Sequence, residues 1–180
     1  MKDSTVNVRE EAVSLNPQLV EWRRHLHAHP ELGFETADTA AFVVARLKEM
    51  SVTEIRTGIA KNGVAAVIRG DLPGKVLGMR ADMDALPVQE ETGLPFASTV
   101  SGCMHACGHD AHASMLLGAA RILVAHRSDL RGAVKLIFQP SEETAAGALA
   151  MIEDGVMENP KVDAFIGPTQ IGRASCRERV

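Results

Sequence analysis

AVKLIFQPSEETAAGALAMIEDG, residues 133–155, reads as strand, break, acidic pair and helix in that order. AVKLIFQP (133–140) is a β-strand ended by Pro140, which has no amide hydrogen for a ladder. TAAGALAMIEDG (144–155) is a helix closed by Gly155. Glu142 and Glu143 fall at the junction. The flanking sequence repeats this alternation. GVAAVIRG (63–70) reads as a short buried strand, KVLGMRADMDAL (75–86) as a strand running into an acidic loop, and VDAFIG (162–167) as a last strand. MLLGAARILVA (115–125), apolar nearly all round, is expected to be a buried helix. Leu15, Leu19, Trp22 and Leu26 fall at helical spacing, with Asn16 and Pro17 as the start and Pro30 as the stop. A second helix is expected near 36–49, with Ala40, Val43, Val44 and Leu47 on one face. Strands alternating with helices point to an α/β layered domain.

The 180 residues, 46% hydrophobic and 23% charged, suit one domain or one and a part. With one Trp, five Phe and no Tyr, the core must rest on aliphatic residues and Met. A net charge of −4 does not favour nucleic acid or an anionic membrane as partner. The first 18 residues lack the apolar core of a signal peptide, and no run of 18 apolar residues offers a membrane span. Three cysteines without an export signal argue against a disulfide framework, so a cytoplasmic, reducing location is expected. IGRASCRERV (171–180) resembles read-through of vector or adapter sequence. Residues 168–180 are therefore expected to be a non-native tail, and the chain a truncation ending at about residue 167.

Three clusters of ionisable residues follow strands. They are Asp82 and Asp84 in RADMDALP, Cys103, His105, Cys107, His109 and His112 in SGCMHACGHDAHAS (101–114), and Glu142 and Glu143. Ligands in open α/β sheets bind beyond the carboxyl ends of strands, so the three clusters are expected to meet in one crevice. Asp82 and Asp84, taken alone, read as solvated loop carboxylates; they can also hold a metal or orient a ligand histidine. Cys107 and His109 can chelate one ion only on non-helical backbone, which Gly108 permits. The spacing is too tight for a zinc finger, and Cys103 and Cys107 have three residues between them where a redox motif has two. The remaining alternative is a pair of buried thiols near a helix start. Adjacent carboxylates repel, which tends to raise one pKa of such a pair and suits one glutamate to general-base work while the other binds metal; an acidic helix start is the plainer explanation of the pair. His25, His27 and His29 read as exposed or core histidines, because Pro30 disfavours a helical metal pair.

HLHAHPELGFE (25–35), MRADMDALPVQEETGLPFAS (79–98), MHACGHDAHASMLLGAA (104–120) and FQPSEETAAGALAMIEDGV (138–156) together resemble the metal-dependent amidohydrolases. That group includes hippurate hydrolase, N-acyl-amino-acid amidohydrolase and the auxin-conjugate hydrolases, within the wider aminoacylase and carboxypeptidase zinc peptidases. The match runs in register over about residues 15–167, and four motifs in order are far more specific than one. The resemblance implies a three-layer α/β catalytic domain with a mixed, mainly parallel sheet. It implies two divalent metal ions, which are zinc, manganese, cobalt or nickel, held in part by Cys107, His109 and Glu143. Glu142 is implied as general base and Asp84 as an acidic residue beside the metals. Asp82 sits where related peptidases place a metal histidine; Cys103 and His105 match no role.

The implied reaction is hydrolysis of the amide bond of an N-acyl amino acid or related conjugate. The family continues past VDAFIG into another metal histidine, an inserted domain that often dimerises, and a late histidine. A homodimer is thus open to the full-length protein, while the 180 residues alone are expected to be inactive. The alternative is a non-catalytic metal-binding or interaction module.

Overall fold

A computed structural model describes residues 7–167, so the tail expected to be non-native lies outside the described residues. The elements in order are α1 (Val8–Ala28), α2 (Ala37–Glu49), β1 (Glu54–Ile59), β2 (Gly63–Arg69), β3 (Leu72–Asp82), α3 (His109–Ala125), β4 (Arg131–Gln139), α4 (Gly147–Glu153) and β5 (Ala164–Ile166). The strands form one sheet in the order β1-β2-β4-β3-β5. β2 runs antiparallel to β1 and β4, whereas β3 runs parallel to β4 and β5. The described sheet is thus mixed in equal parts.

Side-chain alternation along the central strands makes the layers. Val64, Ala66 and Ile68 of β2 and Val134, Leu136 and Phe138 of β4 join a core with Trp22 and Leu26 of α1, Val43 and Leu47 of α2, and Leu116 and Leu117 of α3. The intervening Ala65 and Ile137 face the other way, against Met151 of α4 and Val156. Lys135 also lies off the helical core. It is 2% exposed, and its Nζ donates to the carbonyls of Val156, Glu158 and Pro160 at 2.7–2.9 Å.

Several element boundaries depart from the sequence expectation, each for a local reason. α1 begins at Val8, capped by the Asn7 side chain, and Pro17 lies inside it. Pro17 and Val13 are both exposed, so the Val13 carbonyl that loses an amide partner lies on the solvent side of the helix. β1 has no hydrophobic alternation, since only Ile59 is buried. α2 takes its cap from Glu31, whose carboxylate accepts the Asp38 and Thr39 amides at 3.1 and 2.7 Å. α3 starts at His109, six residues before its apolar run, because its polar first turn is itself buried. α4 is shorter than 144–155 because Glu142–Ala146 forms a tight turn closed by the Gly147 amide on the Ser141 carbonyl at 3.0 Å. A Cβ at Gly147 would stand 1.7 Å from the Pro140 carbonyl oxygen, so only glycine fits this close approach.

Among the described residues no helix is long and apolar enough to cross a membrane.

Candidate metal centre

The parallel pairing of β3 with β4 sets the site. Asp82, the last residue of β3, is in register with Gln139, the last of β4. The chains leaving those ends carry Asp84 on one side and Glu142–Glu143 on the other. α3, which links β3 to β4 across the face of the sheet, starts at that same edge, with His109 beside Asp82 and Asp84.

His109 is the first residue of α3 and is 2% exposed. Gly108 before it has φ 85°, the left-handed turn that separates Cys107 from the helix. The His109 Nδ1–H donates to the Asp84 carbonyl oxygen at 2.8 Å. That bond fixes the ring and makes Nε2 the atom that can bind a ligand once it has lost its proton. Asp82 Oδ2 lies 3.6 Å from Nε2, and Glu142 Oε2 and Glu143 Oε1 each lie 3.7 Å from it. Cys107, His109 and Glu143 each offer a donor atom within 4.8 Å of the other two.

Asp82, His109 and His112 form a second group of the same size. Its carboxylate is already engaged, however, by Arg80 Nη1 at 2.8 Å and His112 Nδ1 at 2.6 Å. Burial alone would raise the Asp82 pKa, but the His112 bond and the His109 and Arg80 charges outweigh it and hold it low. The thiol, imidazole and carboxylate of the first group are therefore the better cradle, and they suit a borderline-soft divalent cation.

Asp84 is 1% exposed and is not the solvated loop carboxylate that its sequence context suggests when taken alone. Its two oxygens accept the Glu142 and Glu143 amides at 2.9 and 3.1 Å. One residue thus orients His109 through its carbonyl and both glutamates through its carboxylate. The Glu142 and Glu143 side chains stay 40% and 23% exposed, which leaves them open to solvent.

Cys103 is buried, with its Sγ 3.6 Å from the Pro30 carbonyl, while Cys107 is exposed. His105 is buried with neither ring nitrogen hydrogen-bonded, and burial pushes its pKa down to about 4. His25 stacks on Phe42, and His29 Nδ1 bonds the His25 carbonyl at 2.8 Å. Arg80 is a support that sequence reasoning missed, and His112, named in the cluster, had been given no role of its own. His112 was findable: three residues after His109, it shares the helix face that meets the end of β3.

Partial burial raises the Cys107 thiol to about 11, and the hydrogen bond to Glu143 and the charges of Glu143, Glu142 and Asp82 add to this. Burial works against charge on His109, yet the Asp84 hydrogen bond and the Asp82 and Asp84 carboxylates win and raise its pKa. Both groups must lose their protons to ligate a cation. A cation bound here is expected to displace up to about two protons and to bind more tightly as pH rises through the His109 range. Calorimetry in buffers of different ionisation enthalpy measures this; uptake with no proton release would contradict it.

The family model for peptidase family M20/M25/M40 matches residues 78–175, more than half of the chain. The N-acetyl-L-cysteine deacetylase of Bacillus subtilis is 49% identical over 154 residues, which are 86% of this chain and 36% of that protein. The N-acyl-L-amino acid amidohydrolase of Geobacillus stearothermophilus is 48% identical over 150 residues, 83% of this chain and 40% of that protein. The chain thus spans about two fifths of the length of these curated relatives. A Bacillus subtilis crystal structure, described as a dinuclear metal-binding peptidase from the M20 family, superposes with a TM-score of 0.84 at 44% identity. That superposition covers 89% of this chain and 44% of the other. Four ordered motifs, a metal-type cradle at the strand ends and these matches agree, and the chain belongs to peptidase family M20/M25/M40.

Proposed function

We propose that this chain carries part of the catalytic site of a metal-dependent amidohydrolase that cleaves the amide bond of N-acyl amino acids or related, hippurate-like conjugates. The observation that carries this reading is the Cys107, His109 and Glu143 cradle within 4.8 Å, with Glu142 Oε2 beside it at 3.7 Å from His109 Nε2. The names of the Bacillus and Geobacillus relatives, a deacetylase and an amidohydrolase of N-acylated amino acids, support the substrate class.

In this reading Cys107, His109 and Glu143 hold divalent metal, and the ions belong to the zinc, manganese, cobalt and nickel group. Bound there, two such ions supply Lewis acidity for the amide carbonyl and lower the pKa of water. Glu142, free of the amide clamp at its side chain, takes the proton of the attacking water on its carboxylate and delivers it to the leaving amine. Asp84 is not a proton carrier here; it keeps Glu142 and Glu143 at their spacing from His109. Residues 1–167 form the N-terminal part of the catalytic domain, and in a protein of the relatives' length a homodimer is the assembly we favour.

Cobalt titration tests the cradle directly on the 180-residue chain. A thiolate-to-cobalt absorption band is expected in the wild type and is expected to vanish in Cys107→Ala, with affinity falling at least about tenfold. A wild-type chain that takes up no cobalt, or a band that persists in Cys107→Ala, would remove the basis of the reading.

A further inference from the structure

The HLHAHPE segment is the motif that the metal chemistry leaves unused, and His27 stands out in it. His27 is 4% exposed, and both of its ring nitrogens face carboxylates. Nδ1 lies 2.7 Å from Asp110 Oδ2, and Nε2 lies 3.3 Å from Glu90 Oε1. The Asp110 and Glu90 side chains are 0% and 2% exposed. Arg23 Nε reaches the same Asp110 oxygen at 3.1 Å, while Glu90 also accepts the Ser98 amide at 2.6 Å and the Thr92 hydroxyl.

The two carboxylates belong to different parts of the fold. Asp110 follows His109 in the first turn of α3. Glu90 lies within residues 83–108, the irregular connection from β3 to α3 that carries Asp84 near its start and Cys107 near its end. That connection is wound around the end of α1. The Thr99 amide and hydroxyl both donate to the Ala28 carbonyl, at 2.9 and 2.7 Å, and the Ala85 amide donates to the Glu31 carbonyl at 2.8 Å. Phe96 presents its ring to His27 edge-on at 5.6 Å. Backbone bonds of this kind fix the ends of the winding. His27 ties its middle to α3. The imidazole presents one ring nitrogen to each of two carboxylates, which leucine cannot imitate and glutamine imitates on one side only.

We propose that His27 is a positioning residue: it locks residues 83–108 against the first turn of α3 and thereby sets the separation of Cys107 and His109 without touching either. The bearing on metal rests on the function proposed above; the lock itself does not.

Hydrogen exchange read by mass spectrometry, and cobalt titration, both on the 180-residue chain, test this with His27→Leu and His27→Gln. In His27→Leu without metal, amide exchange in residues 86–106 is expected to rise at least about tenfold, while residues 63–69 and 131–139 in the sheet keep their rates. Cobalt affinity is expected to fall about 10- to 100-fold with a weakened thiolate band. His27→Gln should recover part of both effects through its single bond. Glu90→Gln, a milder change on the other side of the lock, should reproduce the local acceleration if His27→Leu fails to fold. Exchange that rises equally in sheet and connection, or does not rise at 86–106, overturns the lock. A loosened connection with wild-type cobalt affinity overturns the positioning role. If the wild type shows no thiolate–cobalt band, the metal reading fails and with it the positioning role, while the exchange data still decide the lock.

Discussion

Glutamine at position 142 is expected to lower turnover of an N-acyl amino acid by about 10²- to 10⁴-fold, the usual loss when a general base is removed. Binding of cobalt at Cys107 and His109 is expected to stay near wild type, because the Glu142 backbone amide that Asp84 holds is unchanged by the substitution. The separation of these two effects is what distinguishes a proton carrier from a ligand. Turnover is best read in a protein of the relatives' length, with residues 15–167 exchanged into the matching part of the Geobacillus amidohydrolase. Steady-state kinetics on an N-acyl amino acid, with and without Glu142→Gln, measures the effect. Near-unchanged turnover would show that Glu142 is not the base; a parallel loss of cobalt binding would make it a ligand instead.

Asp84→Ala is expected to do more damage than its distance from solvent-facing chemistry suggests. It deletes the acceptor for two backbone amides of a part-buried turn, at a cost of roughly 1–3 kcal/mol in all. The turn at Glu142–Ala146 then loses its tether, so both glutamates drift from His109. Unfolding in urea should show a lowered midpoint, and the cobalt band should be lost even under conditions where the variant is folded. Asp84→Asn, which keeps one acceptor oxygen, is expected to fall between the wild type and Asp84→Ala on both measurements. Equal behaviour of Asp84→Ala and the wild type would mean that the tether is dispensable.

How far the fold was legible depended on where each signal lay. β2 and β4 were readable because continuous apolar runs mark strands buried on both faces. β1 was not, since an edge strand with one buried side chain gives no periodicity. The start of α3 was obscured because His109, Asp110 and His112 are polar and yet buried, each paired inside the fold. Cys107, His109, Glu142 and Glu143 were legible as a set because their residue types are unusual at such density. The residues that orient them were harder to find. Asp84 works through a backbone carbonyl and two backbone amides, which no residue pattern announces, and His27 pairs with residues 63 and 83 positions away.

Lys135 has a bearing on which changes β4 can accept. Its three carbonyl acceptors lie on the face away from Val134 and Leu136, so β4 is keyed by parity. A single inserted residue between Lys135 and the Asp82–Gln139 pairing would turn one side of that strand over and carry the downstream chain about 3.3 Å along the sheet. Either the ammonium would enter the helical core, or Phe138 would leave it and Glu142 and Glu143 would overshoot His109. β4 therefore acts as a ruler between an anchor and the reactive edge, and its length should resist change more strongly than the identity of its apolar residues.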